Sequence, residues 1–374
     1  MKIYIIKTIF LLIVYLATVF SLSAYAEQAE QTQLELEIIS EKPGDDQQRW
    51  AAFPIIASSP ETGLMLGGML FHFFPVDDVN KQASTIDVMA FATTEEQYGV
   101  SFTPNIFFQN SRFRFSSSIF SNSWTSKYYG IGNDSSDDYE EYESESSGVA
   151  LTLEMKLFDS IILGLIGSYN SEDIETQAGG ILQTNNIIGS ENADYGGLGF
   201  RFGYDTRDNT NAPYSGTLAV YESTRFDDNY GSDFDYEIQS LDIRYYTPIM
   251  EDKVLALSAQ MKNSHGQVPF RYLPTPDGTN LLRGIESGRY RDKALLGLQS
   301  EVRFPVWRRF SGTVFVEAAQ VADDYSDMDL SDFKTSLGVG VRFALNPKQR
   351  FNVRADIAWV DDGLGVIINV REAF

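Results

Sequence analysis

KTSLGVGVRFALNPKQRFNVRADIAWV, residues 334–360, alternates with a period of two on both sides of an Asn-Pro-Lys-Gln turn signal. Leu337, Val339, Val341, Phe343 and Leu345 share one parity, against Ser336, Gly338, Gly340, Arg342 and Ala344. After the turn, Phe351, Val353, Ala355, Ile357 and Trp359 share one parity, against Asn352, Arg354 and Asp356. Successive side chains of an extended strand point to opposite faces, so each half has one apolar face and one carrying glycine and charge. A helix would instead repeat its apolar positions three and four apart. Proline and asparagine favour the turn between the halves, so the stretch predicts a β-hairpin. Bulky apolar residues on one side and polar residues on the other suit a strand with lipid outside and a polar lumen inside.

The same pattern recurs upstream. Leu198, Phe200, Phe202 and Tyr204 oppose Gly197, Gly199, Arg201, Gly203 and Asp205; Ala294, Leu296, Leu298, Val302 and Phe304 oppose Gly297, Gln299, Glu301 and Arg303. Sixteen segments are predicted, the first eight at 53–59, 64–73, 85–94, 98–108, 113–129, 148–158, 161–171 and 194–206. The other eight are 216–225, 234–247, 253–263, 292–304, 312–322, 334–345, 350–360 and 364–374. Short and long connections mostly alternate, as they do in a barrel with turns at one rim and loops at the other.

A soluble sandwich would alternate too, and the N-terminus decides between them. Lys2 and Lys7 precede an apolar run from Ile9 to Phe20 and then Ala24-Tyr25-Ala26, the pattern of a secretory signal peptide over residues 1–26. Residues 27–50 are rich in Gln and Glu and read as a short periplasmic tail, leaving 51–374 for the barrel. No later stretch reaches the roughly 18 apolar residues that a spanning helix needs. The expected fold is an all-β, transmembrane, antiparallel β-barrel of sixteen strands.

Composition removes several kinds of chemistry. There is no cysteine, so thiolate catalysis and thiolate metal sites drop out. A formal net charge of −23 argues against nucleic acid as a partner. His72 and His265 are isolated on separate strands and read as packing or girdle residues; no catalytic, metal or cofactor site is expected. The acidic run Asp134–Glu145 reads as a solvated loop, since its spacing matches no calcium loop.

Three stretches go beyond this generic pattern: FPIIASSPETGLMLGG from Phe53, YDTRDNTNAPYSG over Tyr204–Gly216, and LLRGIESGRYRDKALLGLQSEVRFPVWRRFSGTVFVEAAQV over Leu281–Val321. Together they resemble the bacterial surface antigen family, the barrel portion of outer-membrane assembly proteins of the BamA and TamA type, over roughly Trp50–Phe374. The resemblance implies a sixth extracellular loop folded into the lumen. It places Arg283 and Gly284 at the loop tip and makes Glu301 and Glu317 the acids that the arginine meets. Leu282 and Ile285 depart from the usual flanking residues. The residues agree in part: Glu301 shares the polar parity of Gln299 and Arg303, and a planar guanidinium can engage two carboxylates at once. Val366, Ile368, Val370 and Phe374 resemble the C-terminal signal read by assembly machinery, with Glu372 as a departure.

The resemblance also implies partners and a role. Outer-membrane lipid and lipopolysaccharide would surround the barrel, and the assembly machinery would insert it. The family's barrels insert or translocate polypeptides, collecting substrate through periplasmic POTRA domains. Residues 27–50 are too few for such a domain, so a POTRA-less, non-enzymatic barrel is expected, served by a periplasmic partner protein. The alternative is a passive or plugged channel or a structural barrel. Pro54 and Pro60 bracket the first strand and share a parity, so if their neighbour is the sixteenth strand the seam should be short.

Overall fold

The computed structural model describes residues 49–374 apart from 60–62, 75–82, 110, 136, 251 and 362, so the signal peptide, nearly all of the tail and Pro60 lie outside the described residues. The first eight strands are β1 (Trp50–Ser59), β2 (Gly63–Phe73), β3 (Thr85–Thr93), β4 (Tyr98–Phe108), β5 (Phe113–Tyr128), β6 (Glu140–Leu157), β7 (Ile161–Thr176) and β8 (Ala193–Asp205). The second eight are β9 (Gly216–Phe226), β10 (Tyr236–Met250), β11 (Lys253–Gly266), β12 (Ala294–Trp307), β13 (Phe310–Ala322), β14 (Lys334–Asn346), β15 (Phe351–Val360) and β16 (Gly363–Val370). They form one sheet in sequence order, each pairing antiparallel with the next. A single helical turn, Ile181–Thr184, sits in the β7–β8 loop.

Parity assigns the faces. Leu198, Phe200, Phe202 and Tyr204 of β8 are exposed, as are Leu337, Val339 and Val341 of β14, while Arg342, Arg354 and Asp356 on the other parity are buried. An exposed aliphatic and aromatic face opposite buried arginines reverses the arrangement of a water-soluble core, and it suits a lipid-facing wall. In a flat sheet, the thirteen spacings of ~4.8 Å between β2 and β15 would separate them by roughly 60 Å. Instead the rings of Phe71 and Phe351 lie 4.8 Å apart, so the sheet curls until its two ends meet inside. Among the described residues no ladder joins β1 to β16. Pro54, which has no N–H to give, stands in β1 opposite Gly68.

Several expectations need correction. Phe351 does not share the lipid face: it is fully buried with Ala51, Phe71 and Phe73, because the β14–β15 register shifts between Ala344 and Asn346 and Arg350 takes a left-handed φ of 50°. Ala294 is fully buried too, since Tyr325 of the β13–β14 loop donates to the neighbouring carbonyls of Lys262 at 2.7 Å and Leu295 at 3.4 Å. The acidic run is loop only up to Tyr139; Glu140–Glu145 belong to β6. There Tyr142 turns inward against Phe270 while Glu141, Glu143 and Glu145 stay outside, so the charged parity masked a strand. The last ladder ends at Val370 rather than at Phe374.

Candidate functional site

Four neighbouring strands supply one cluster of buried polar, charged and aromatic side chains. β12 contributes Gln299, Glu301 and Arg303, and β13 contributes Phe315 and Glu317. β14 adds Arg342, and β15 adds Arg354 and Asp356. Each is inward by parity, so the pleat of the sheet places all of them on one wall.

The β11–β12 loop, residues 267–293, brings a further charge to this cluster. Its tip is shaped locally. Asp277 Oδ1 accepts from the amides of Thr279 at 2.8 Å and Leu281 at 3.0 Å, while the Gly284 amide donates to the Gly278 carbonyl at 2.9 Å. Gly284 has a φ of 94°, and a Cβ on it would lie 2.9 Å from Ala358 Cβ. Glycine fits this turn and this close approach to the wall. Leu281, Leu282, Ile285 and Tyr290 pack with Leu295, Ala319 and Val321 of β12 and β13. The unusual flanking residues Leu282 and Ile285 are thus apolar anchors for the tip.

Arg283 is fully buried and meets three acids from three strands: Glu317 Oε1 at 2.7 Å from Nε, and Glu301 Oε2 at 2.9 Å and Asp356 Oδ2 at 3.1 Å from Nη1. Its own amide donates to Glu317 Oε2 at 2.6 Å, and its guanidinium carbon lies 3.3 Å from the centre of the Phe315 ring. Ser336 Oγ donates to the Arg283 carbonyl at 2.6 Å. The network continues outward. Arg303 Nε lies 2.7 Å from Glu301 Oε1, Arg342 pairs with Asp356, and Arg354 Nη1 lies 2.6 Å from Asp356 Oδ2 while its Nη2 donates to the Thr279 carbonyl of the loop at 2.8 Å. A buried charge left unpaired costs several kcal/mol, and here every buried charge in the cluster has a partner of opposite sign.

The segment after β16 enters the same cluster. Arg371 takes a φ of 64° and turns the chain inward, reaching Asp87 of β3 at 2.7 Å. Glu372 accepts from Arg342 Nε at 2.9 Å and from Asn352 Nδ2 at 2.7 Å. Phe374 is buried with Tyr246, Val254 and Ala256 of β10 and β11, and Arg303 Nη2 donates to its carbonyl at 3.0 Å. Ile368 is exposed, so Phe374 does not share its face.

The structure therefore brings Arg283, Gly284, Glu301 and Glu317 together, and it separates Phe374 from Val366, Ile368 and Val370. Sequence reasoning missed Asp356, Arg342, Arg354, Phe315 and Glu372 as members of the cluster. Parity marks Arg342, Arg354 and Asp356 as inward, but nothing local says that the loop tip arrives beside them. The histidines stay apart: His72 lies against Trp50, ring centres 4.2 Å apart, and His265 lies 3.1 Å from Asn263.

A curled sixteen-stranded sheet with an apolar exterior and charged interior defines a β-barrel of the outer-membrane type. The Omp85 superfamily domain matches residues 80–363, and the chain belongs to that superfamily, whose barrels are outer-membrane proteins of Gram-negative bacteria. Among solved structures, BamA from Haemophilus ducreyi lacking POTRA domains 1–3 is 14% identical with a TM-score of 0.56, over 87% of this chain and 69% of that one. CdiB from Escherichia coli is 11% identical with a TM-score of 0.58, over 86% of this chain. CdiB from Acinetobacter baumannii is 12% identical with a TM-score of 0.52, over 87% of this chain. The chain spans 61% and 60% of those two CdiB chains. No curated protein matches the sequence.

Proposed function

We propose that this protein is a non-enzymatic barrel of the assembly or translocation type that receives polypeptide or lipid from a periplasmic partner. The observation that carries the reading is Arg283, fully buried against Glu301, Glu317 and Asp356. An open passive pore gains from solvated wall charges, whereas three carboxylates converging on one loop arginine hold a loop inside the lumen. Outer-membrane lipid and lipopolysaccharide would surround the wall, and the barrel assembly machinery would insert it. Within this reading Val366, Ile368, Val370 and Phe374 serve as the signal for that insertion in the unfolded chain, before Phe374 is buried.

Two measurements test the reading. In proteoliposomes the protein should accelerate insertion of a model outer-membrane barrel, and Arg283→Ala should change that rate. In planar bilayers the intact protein should conduct poorly, and deletion of Val268–Asp292 should raise the current. A large steady current from the intact protein, with no acceleration of insertion, would favour a plain channel.

A further inference from the structure

At the loop end, a cavity of about 390 Å³ lies between the inner wall at β5 and β6 and the 267–293 loop. Trp124, Ser126, Tyr142, Ser287 and Arg291 are among the residues that line it, and the exposed carboxylates of Glu141 and Glu286 border it. Two further cations reach it but are matched: Lys127 Nζ lies 3.2 Å from Glu286, and Arg271 pairs with Glu172. Arg291 differs. It is 5% exposed, yet among the described residues no carboxylate lies within ion-pair distance of it. Its Nε and Nη2 donate to the Gly288 carbonyl at 3.3 Å and 3.0 Å, its Nη1 donates to the Phe270 carbonyl at 3.1 Å, and the rings of Tyr128 and Phe270 flank it. The Tyr142 hydroxyl bonds it as well. A guanidinium carries five N–H donors, so these bonds still leave one to spare.

The position of this cation is fixed from outside. The Gly132 amide of the β5–β6 loop donates to the Arg291 carbonyl at 2.8 Å, and neighbouring Arg289 is held by Ser135 and Asp137. The charge is therefore ordered before anything binds, which lowers the entropy lost on binding. A buried cation with no counter-charge is costly, and an anion in the adjoining space would relieve that cost. Arginine is suited to oxyanions, while the hydroxyls of Ser126 and Ser287 and the rings of Trp124 and Tyr142 suit the body of a sugar.

We infer that this cavity binds a small sugar-like molecule bearing an oxyanion, phosphate or carboxylate, with Arg291 as the charge partner. The oxyanion can belong to a free solute or to the phosphorylated headgroup of lipopolysaccharide, and the test separates the two.

Calorimetric titration of the full chain in detergent with glucose 6-phosphate and with glucuronate should show saturable binding, with neutral glucose at least ~tenfold weaker, as expected when a charged hydrogen-bond partner is missing. Competition by phosphorylated but not dephosphorylated lipopolysaccharide would identify the headgroup as a source. Arg291→Gln should weaken anion binding at least ~tenfold. Ser287→Trp, which narrows the cavity and leaves Arg291 in place, should weaken it similarly and decides the matter if the first variant does not fold. Absence of saturable binding by either anion and by lipopolysaccharide, or unchanged affinity in both variants, overturns the proposal.

Discussion

Arg283 concentrates the consequences of the interior at one residue. Removing one partner from a fully buried, hydrogen-bonded ion pair costs about 3–5 kcal/mol, against about 0–1 for a pair in open water. Arg283→Ala should therefore lower the barrel's resistance to heat in detergent and release the 267–293 loop to added protease. Glu317→Gln should do so more weakly, since Arg283 keeps Glu301 and Asp356. Arg283→Ala combined with Glu317→Gln should cost less than the sum of the two, because the first already removes the partner of the second. Unchanged heat resistance in Arg283→Ala would show that the loop is held by its apolar anchors alone. Asp277 adds a pH dependence. Burial pushes its carboxyl up, but the amides of Leu281, Asn280 and Thr279 outweigh this and hold it below the usual carboxylate range. A depressed carboxyl contributes stability that is complete above its unfolded value, about 3.9, and is lost as pH falls from there through the folded value. Asp277→Ala should thus expose the loop to protease at pH 7 and change little in acid below that range, a comparison made with an acid-active protease.

β16 is the element whose position is least supported by neighbours. It pairs with β15 over Gly363–Val370, and among the described residues no ladder binds its other edge. β14 is paired on both sides, with β13 and β15. Amides of Val366–Val370 should therefore exchange with solvent deuterium faster than those of Leu337–Val341, and equal protection would imply a continuous ladder across the seam. The seam is closed at one end by side chains instead. Phe351 packs between Phe71 and Phe73, and Arg371 reaches over to Asp87. Side chains can part without breaking a ladder.

Across the whole molecule, contacts between loops span both rims. At the loop end, the β5–β6 loop bonds both the β11–β12 and β13–β14 loops, through Ser135 to the Arg289 carbonyl at 3.0 Å and Asn133 to the Asp332 carbonyl at 2.8 Å. At the turn end, Asp208 of the β8–β9 turn lies 2.5 Å from Arg350 of the β14–β15 turn, and Asn211 Nδ2 donates to the Gln349 carbonyl at 2.9 Å. Six strand spacings, roughly 29 Å in a flat sheet, separate these turns, so the β8–β9 turn lies across the opening. Deleting Val268–Asp292 should then open the pore only in part. Adding Arg350→Ala and Asn211→Ala to the deletion should raise the single-channel current further, whereas an unchanged current would mean that the turn does not obstruct the path.

The sequence alone determined the strands and their faces, because the pleat is local: parity at 334–360 and 194–206 is set by neighbours two residues away. It also determined that Glu301, Arg303, Arg342 and Asp356 point inward. Family resemblance added that Arg283 is the residue arriving from the loop. The resemblance also gave Glu301 and Glu317 as its acids; only the tertiary structure decided that Asp356, Arg342 and Arg354 join them, because these residues lie on other strands and converge through the curvature of the wall and the course of one loop. It likewise decided that Phe351 and Phe374 turn inside, since a register shift and a left-handed backbone override alternation at those points. The strand at Glu140–Glu145 stayed hidden for a related reason: its outward face carries carboxylates, and its inward Tyr142 gains an apolar partner only when Phe270 of a distant loop folds against it.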